Sequence, residues 1–556
     1  MKAKKLAALL MAGTMAMSLL AGCAQQKAEN EGSETTPSPV VSDNNPADNA
    51  AGDGKVTFPL AEPVEVTVYC CSGDSSYKLE DTAIFKYMEE MTNVKLKVTN
   101  VNLTENDEKR NVLLNSGDYP DVFIKGGMSP DELFKYGSEG IFVALDDYLK
   151  EYAPNYCAII DERNAWPEVT SIDGHIYSTY EVSEPNTGNT PHMWINQQWL
   201  DNLGLTMPSN SDEFYKVLKA FKEQDADGDG DPNNEIPWIA SSDVTPVEDI
   251  LPYFGFNMQG WWDPWCVSQD GESIEFFPAT ERYKEALAFI AKCYDEGLLY
   301  KDSFSITTEQ IGAMGQTGGS IGVFCQWHPG GAVGYYDKSK SAEENKILQY
   351  VAMVPWDGAA APTAGGLVRG GFAITDKCKY PEIMVAWIDY LYSEEGARIV
   401  NYGIEGDTYD LVDGQVKMRN TNNPSETWGQ NVDHALMQMG GGTFRPSKTY
   451  TDLEIYVDLE EDPTGRILLD TYDKFKEMGK LYPAWPSLAL TEKEIAENAD
   501  INADTDAYRL TYRAEVITGK KDLNATWDEY LVTLNKMGLQ TAIDNMNAAY
   551  DRYKMD

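Results

Sequence analysis

The sequence predicts an α/β protein with two lobes and a helix-rich C-terminal part. Apolar and polar residues alternate over residues 64–69 and again over 94–98, which is the pattern of half-buried strands. A helical pattern lies between them, a polar helix is expected over 104–115, and Asp121–Ile124 is predicted as a third strand. This βαβαβ start implies a parallel sheet with right-handed crossovers. The chain has 556 residues, more than one hydrophobic core usually supports, so we expect at least two lobes.

Helices are expected to dominate the C-terminal third, and two helix starts can be predicted. Asn210 followed by Glu213 has the spacing of an N-terminal cap, and Thr526 followed by Glu529 has the spacing of a capping box.

The end of the first predicted strand is a candidate binding edge. Ligands of parallel sheets bind beyond the carboxyl ends of the strands, which here places Ser72, Gly73 and Asp74 at that edge. Asp74 is the expected hydrogen-bond acceptor, and a simple turn is the alternative interpretation.

The N-terminus has the pattern of a bacterial lipoprotein signal. Three lysines within the first five residues precede an apolar stretch, Leu6–Leu20, which is too short for a membrane span of about 20 residues. Cys23 follows Leu-Ala-Gly, so residues 1–22 are a predicted signal peptide and Cys23 is the predicted lipidation site. An ordinary secretory signal with a chance cysteine is the alternative. Residues 23–58 contain little to bury and are predicted to form a disordered tether.

The net charge of −44 excludes some classes of partner. A strongly acidic chain is a poor match for nucleic acid, which requires a basic face, and it also disfavours polyanionic ligands unless a local pocket is basic. The seven cysteines other than Cys23 have no zinc-ligand spacing, and most of them are expected to be small buried hydrophobic residues.

Several segments resemble the family 1 extracellular solute-binding lipoproteins, which include alginate-oligosaccharide binders and lipoproteins of Gram-positive bacteria. The similarity runs from about residue 60 to the C-terminus and is carried by segments in a characteristic order: Gly117–Asp121, Gly140–Leu149, Gly174–Tyr177, Trp194–Asn196, Tyr390–Gly406 and Ile517–Tyr530.

The resemblance implies a two-lobed periplasmic-binding-protein-like fold of the type II class. Lobe one would span 59–183 plus 363–400, and lobe two 184–362 plus 401–556. It also implies a monomer that is lipid-anchored at the extracellular face of the membrane, captures an oligosaccharide by hinge closure, and delivers it to the permease subunits and ATPase of an ABC importer.

An acidic loop predicts a structural calcium site. Oxygen-bearing side chains alternate over 225–235, with Gly230 at the sixth position, as a hard cation requires. Ile236 stands where an EF-hand has its bidentate glutamate, so the loop is not a full EF-hand. It resembles the single calcium loop of the family, and the alternative is a solvated acidic loop. The predicted ligands are Asp225, Asp227, Asp229, Asp231, Asn233 and Glu235.

Aromatic residues are the predicted sugar contacts, because ring faces pack on the apolar C–H faces of sugars and cost little conformational entropy. Core packing is the alternative for each ring, and a structural ion pair is the alternative for the one arginine. The predicted ligand-binding residues are Asp74, Tyr177, Trp194, Trp261, Trp262, Trp265, Trp327, Trp356 and Arg369.

Two other functional classes remain open at this point. A secreted glycoside hydrolase would need two carboxylates across a cleft, and the 89 acidic residues of the chain neither exclude nor support that pair. Gly318–Gly322 matches the G-x-S-x-G elbow of hydrolases, but the glycines precede a predicted strand instead of following one. A surface adhesin or carbohydrate sensor is the third class. We predict a binding protein without catalytic residues.

Overall fold

The computed structural model contains two main β-sheets with helices packed around them. It describes residues 56–71, 78–81, 83–102, 105–186, 191–242, 250–258, 263–406, 409–412, 414–418, 459, 462–483, 485 and 488–555. The predicted signal peptide, Cys23 and the tether up to residue 55 lie outside this range. Val56 and Phe58 pack against the core of the first sheet, so the last three residues of the predicted tether belong to the folded part.

Fourteen strands are described. Their bounds are β1 Val64–Cys71, β2 Val94–Val101, β3 Val122–Ile124, β4 Thr179–Asn186, β5 His192–Asn196, β6 Glu235–Ile239, β7 Asn257–Met258, β8 Trp265–Val267, β9 Ile274–Phe276, β10 Ser320–Gln326, β11 Tyr350–Ala352, β12 Ala364–Ile374, β13 Tyr409–Val412 and β14 Gln415–Met418.

Seventeen α-helices are described, and no helix among these residues has the length and apolar character of a membrane span. Their bounds are α1 Ala83–Thr92, α2 Asn106–Ser116, α3 Pro130–Ser138, α4 Asp146–Tyr152, α5 Pro154–Arg163, α6 Trp166–Val169, α7 Gln197–Leu203, α8 Ser211–Glu223, α9 Glu281–Asp295, α10 Thr308–Gln316, α11 Gly330–Val333, α12 Pro381–Tyr392, α13 Glu394–Tyr402, α14 Ile467–Glu477, α15 Glu492–Ile517, α16 Leu523–Lys536 and α17 Leu539–Met555. Short 3-10 turns cover Leu79–Asp81, Leu251–Phe254, Phe277–Ala279 and Lys346–Gln349.

The first sheet has the strand order β2-β1-β3-β12-β4. Strands β1, β2 and β3 are parallel, as the βαβαβ pattern predicts, whereas β12 runs antiparallel to both β3 and β4. The valines of the alternating pattern, such as Val66 and Val68, are buried in the same hydrophobic core as Trp387 and Ile388 of α12. Each fully buried side chain of this size contributes ~1.5–3 kcal/mol of hydrophobic stabilisation.

The second sheet has the strand order β11-β5-β10-β6, with β10 parallel to β6 and antiparallel to β5. One face of this sheet shares a large core with α8, α9 and the C-terminal helices. Phe214 of α8 and Trp238 of β6 lie 6.0 Å apart in that core, and Tyr512 of α15 stacks on Tyr530 of α16 at 4.1 Å. The C-terminal helices therefore belong to the core of the second sheet.

Candidate functional site

The chain passes between the two sheets twice, and we call these two segments the crossings. The strand pairings show at which end of the first sheet they lie. The chain leaves this sheet after Asn186 and returns at Ala364, and these two residues are paired partners. Strand β12 runs antiparallel to β3, with Phe372 opposite Ile124 and Ile374 opposite Val122. The carboxyl end of β3, and of the parallel β1 beside it, therefore points toward the crossings.

The second sheet presents its own carboxyl ends in the same way. Strand β5 begins at His192, directly after the first crossing, and His192 pairs with Gln326, the last residue of β10. Strand β11 ends at Ala352 opposite Trp194, and the second crossing leaves from there. The carboxyl ends of β1, β3 and β10 thus flank both crossings, which is where open α/β sheets bind ligands.

Trp327 lies at this edge, directly after β10, and its side chain is 46% exposed. The adjacent His328 stacks on Tyr335 with a centroid distance of 5.2 Å and an interplanar angle of 15°. The backbone N–H of Gly330 donates to His328 Nδ1 at 3.1 Å, which fixes the ring. Burial lowers the pKa of His328 below its usual value, against the opposing effect of Asp462. The result is a rigid aromatic surface beside the crossings.

His328 and Tyr335 were not among the predicted site residues. Tyr335 is 68% exposed, and a Cβ on Gly330 would lie 2.6 Å from its ring, so the glycine is what allows the tyrosine to lie there. The available sequence signal was the run of glycines that precedes Tyr335.

Trp194 and Trp356 are core residues, which corrects the prediction that they face a ligand. Trp194 is fully buried, and its indole N–H donates to the backbone oxygen of Gln326 at 2.8 Å. Trp356 is 4% exposed and is enclosed by Phe254 and Tyr253 at centroid distances of 5.3 and 5.6 Å. Neither ring has a free face for a sugar.

Tyr177 and Trp265 are also buried, and the same correction applies to them. The Tyr177 hydroxyl donates to Asp173 Oδ2 at 2.7 Å, and its ring packs in the core beside Phe142. Trp265 begins β8 and packs on Phe276 at 5.2 Å.

The remaining predicted contacts lie outside what the structure describes. Asp74, Trp261 and Trp262 are in segments beyond the described ranges. Arg369 is part of β12, but its side chain is not described. These four residues stay predictions.

The acidic loop brings together three of its predicted calcium ligands. Carboxylate oxygens of Asp225, Asp227 and Glu235 lie within 4.8 Å of one another. The N–H of Gly230, which has a φ of 96°, donates to Asp225 Oδ2 at 3.0 Å, and the N–H of Ala226 donates to Glu235 Oε1 at 2.9 Å. Positive φ favours glycine at this position, so the turn that gathers the carboxylates depends on it.

Two oxygens of this cluster fit a cation. Asp225 Oδ1 and Glu235 Oε2 are buried and have no hydrogen-bond partner among the residues that the structure describes, which is costly for charged oxygens unless a cation compensates. Burial, together with the charges of Asp227 and Asp225, raises the pKa of Glu235, as expected for carboxylates held together without a counter-charge. The residues present therefore fit a hard divalent cation.

The other predicted ligands make hydrogen bonds within the loop. Asp229 Oδ1 accepts from the N–H of Asp231 at 2.8 Å, and its Oδ2 accepts from Asn234 Nδ2 at 2.7 Å. Asp231 Oδ1 accepts from the backbone and side chain of Asn233. Neither Asp229 nor Asp231 belongs to the three-carboxylate cluster.

The loop and the aromatic surface lie at opposite ends of the second sheet. Glu235 pairs with Ser320 at the start of β10, and the Ser320 hydroxyl donates to Asp227. Trp327 follows the other end of β10, ~20 Å away at ~3.3 Å per residue. A cation in the loop would therefore be too far from the ligand edge to contact a ligand there.

Comparison with known proteins identifies the family. Residues 75–398 match the family described as bacterial extracellular solute-binding protein. The chain belongs to this family. It is 28% identical over 523 residues to the fructooligosaccharide ABC transporter substrate-binding protein FusA of Streptococcus pneumoniae, covering 90% of this chain and 92% of FusA. It is 26% identical to lipoprotein LipO of Bacillus subtilis, covering 84% and 89% of the two chains.

Solved structures confirm the predicted fold. FusA in complex with kestose has a TM-score of 0.70 at 24% identity, with 89% of this chain and 99% of FusA covered. The alginate-binding protein AlgQ2, solved without calcium ion, has a TM-score of 0.67 at 24% identity, covering 89% and 100%. An EF-hand mutant of FusA has also been solved in complex with fructo-nystose, with a TM-score of 0.69. The two-lobed α/β fold of the solute-binding proteins is thus shown for this chain.

Proposed function

We propose that this protein captures an oligosaccharide between its two lobes and delivers it to an ABC importer. The observation that carries the proposal is the exposed Trp327 at the carboxyl end of β10, beside both crossings, in a chain of the extracellular solute-binding family. The relative FusA is named for fructooligosaccharides and has been solved with kestose, which supports a saccharide as the ligand class.

Binding would proceed by closure of the lobes around the sugar. Trp327 and the neighbouring Tyr335 offer exposed ring faces for the apolar faces of sugar rings, and polar groups of the opposite lobe would take the hydroxyls. Hinge closure then removes the ligand from water. Micromolar affinity corresponds to roughly −8 kcal/mol, which a few stacked rings and hydrogen bonds can supply. Within this scheme, Asp74, Trp261, Trp262 and Arg369 are further proposed contacts.

The proposed partners and location follow from the family. A solute-binding protein of this kind lies at the extracellular face of the cell membrane. It works with the permease subunits and the ATPase of an importer. The Leu-Ala-Gly-Cys motif supports lipid attachment at Cys23, and the relative LipO is named as a lipoprotein. We propose a monomer held at the membrane by that lipid.

The acidic loop is proposed to hold a structural calcium ion. Asp225, Asp227 and Glu235 would supply the charged ligands, and their unpartnered buried oxygens support this assignment. The ion would screen carboxylates that otherwise repel one another and would tie the loop to the start of β6.

A binding protein and a glycosidase differ in what happens to the bound sugar. Calorimetric titration with fructooligosaccharides should give a saturable complex, and chromatography of the released ligand should recover it unchanged. Recovery of shortened sugars with multiple turnovers would contradict the proposal and favour the hydrolase.

Replacing Trp327 with alanine is expected to weaken oligosaccharide binding at least tenfold, because the exposed ring is the proposed stacking surface. Such a loss corresponds to about 1.4 kcal/mol. The melting temperature of the ligand-free variant should stay close to wild type, because the ring is 46% exposed. Tyr553→Ala, which removes a 38% exposed aromatic side chain on α17, is the matched control. Equal affinities for Trp327→Ala and wild type would place the sugar elsewhere.

A further inference from the structure

Lys125, the residue directly after β3, has an unusual backbone conformation. Its φ is 52°, in the left-handed region, where the Cβ of a lysine approaches its own backbone. The other non-glycine residues with positive φ in the described ranges are Asn93 and Asn164, a residue type that tolerates this region. Strained positions of this kind persist when their surroundings hold them, and they concentrate at functional sites.

A buried polar cluster holds the turn that follows Lys125. The backbone oxygen of Gly126 accepts from Arg110 Nη1 at 2.7 Å and from Asn106 Nδ2 at 2.9 Å. Arg110 is 3% exposed, and its Nη2 donates to both carboxylate oxygens of Glu132, at 2.7 and 2.9 Å. Two helices, α2 and α3, therefore fix this turn through charged groups, which is more than a simple surface turn requires.

The backbone of Lys125 is also hydrogen-bonded to β12, the strand that follows the second crossing. Its N–H donates to the backbone oxygen of Gly371 at 2.8 Å. Gly371 lies in the irregular part of β12, where the register to β4 shifts between Val368 and Phe372. Bulges of this kind often lie next to binding sites, where they redirect a side chain.

The position of Lys125 in the sheet is the one at which parallel α/β sheets bind ligands. The chain passes outward from β1 to β2 and then returns across β1 to β3, so the strand order reverses between β1 and β3. Ligands bind at the carboxyl ends of the strands on either side of such a reversal. Lys125 follows β3 at that point, on the edge that faces the crossings.

Within the described ranges, the ammonium group of Lys125 has no hydrogen-bond or ion-pair partner. The side chain is half-buried, and its positive charge opposes the burial that raises the pKa of the nearby Cys70 thiol. Closure of the lobes would remove more water from this group, and an ammonium in a closed cleft requires acceptor oxygens.

We infer that Lys125 is a ligand contact of the first lobe, whose ammonium group donates charge-assisted hydrogen bonds to hydroxyl or carboxylate oxygens of the bound saccharide. This inference rests on the proposed function and adds to it a further first-lobe residue that contacts the ligand. Arg110 is then a positioning residue, which acts through the turn at Gly126.

Two substitutions of Lys125 separate the loss of its proposed ligand contact from the relief of its backbone strain. Lys125→Gly is expected to leave the melting temperature unchanged or higher, because glycine adopts positive φ freely, while oligosaccharide affinity falls at least tenfold. Asn164→Gly is the matched control, since it frees another left-handed position and should leave affinity unchanged. Lys125→Met, which keeps most of the stem and removes the charge, should lose affinity to a similar extent and serves if the glycine variant is unstable.

The ligand panel in calorimetry is neutral kestose and nystose together with acidic oligogalacturonides. A loss by Lys125→Met confined to the acidic sugars identifies a carboxylate contact, and a loss with the neutral sugars identifies hydroxyls; both support the inference. If wild type binds sugars and the Lys125 variants bind equally well, the inference is wrong while the proposed function stands. If wild type binds no saccharide at all, both are overturned.

Discussion

Removal of calcium by EGTA is expected to lower the melting temperature of this protein by roughly 8–16 °C. The folded loop gathers Asp225, Asp227 and Glu235, and an unfolded chain does not, so the proposed calcium ion would bind the native state preferentially. A ligand present at 1,000 times its Kd stabilises the native state by about 4.1 kcal/mol. At roughly 2–4 °C per kcal/mol for a large domain, the shift is readily measured by differential scanning fluorimetry with millimolar calcium or excess EGTA.

Two variants test whether the effect arises in this loop. Asp225→Asn and Glu235→Gln should melt at lower temperature in calcium than wild type and should respond little to EGTA. Asp231→Asn is the matched control, because it makes a comparable change in the same loop but outside the three-carboxylate cluster. If the melting curves of the wild-type protein in calcium and in EGTA were the same, the proposed structural role of calcium would be wrong.

Trp194→Ala is expected to lower the free energy of unfolding by about 3–5 kcal/mol, the usual cost of truncating a large buried aromatic residue. The Trp194 ring is fully buried among Ile239 and Phe324 of the second sheet. The change also removes the indole donor to the backbone oxygen of Gln326, which adds the cost of a lost buried hydrogen bond. Urea unfolding of the ligand-free protein measures this loss.

Trp327→Ala is the matched control for this experiment, since it truncates the same residue type at an exposed position beside the end of β10. Its effect on stability should stay within about 0.5 kcal/mol, as for surface substitutions generally. A loss of stability in Trp194→Ala no greater than in Trp327→Ala would show that the ring at 194 is not a core residue. Together the two variants separate a buried tryptophan from an exposed one.

Local patterns predicted the elements that depend on neighbouring residues. Alternation gave β1 and β2, and the helix expected over 104–115 is α2, Asn106–Ser116. Asn210 caps α8 by accepting from the N–H of Glu213 at 2.9 Å. The capping box at Thr526 was wrong, because α16 already begins at Leu523, where Asp522 accepts from the N–H of Ala525 at 2.8 Å. Asp522 and Thr526 are both suitable N-cap residues, and the helix begins after the earlier of the two.

Exposure of the tryptophans could not be predicted in this way. Trp356 is buried because Phe254 and Phe289, distant in sequence, pack on it at 5.3 and 6.3 Å. Trp327 lacks such covering and remains exposed. The two tryptophans thus differ in exposure because of segments that lie far away along the chain.

Sequence patterns were sufficient to predict the parallel βαβαβ start, the family and the acidic loop, because each depends on residues close together in the chain or on an ordered series of motifs. Tertiary structure was needed to show which tryptophan rings are exposed, which are buried, and which carboxylates meet. It also placed β12 between β3 and β4, where its Gly371 accepts from the N–H of Lys125. The burial of side chains and the pairing of strands depend on contacts between segments that are remote in sequence, and local residue patterns do not predict those contacts.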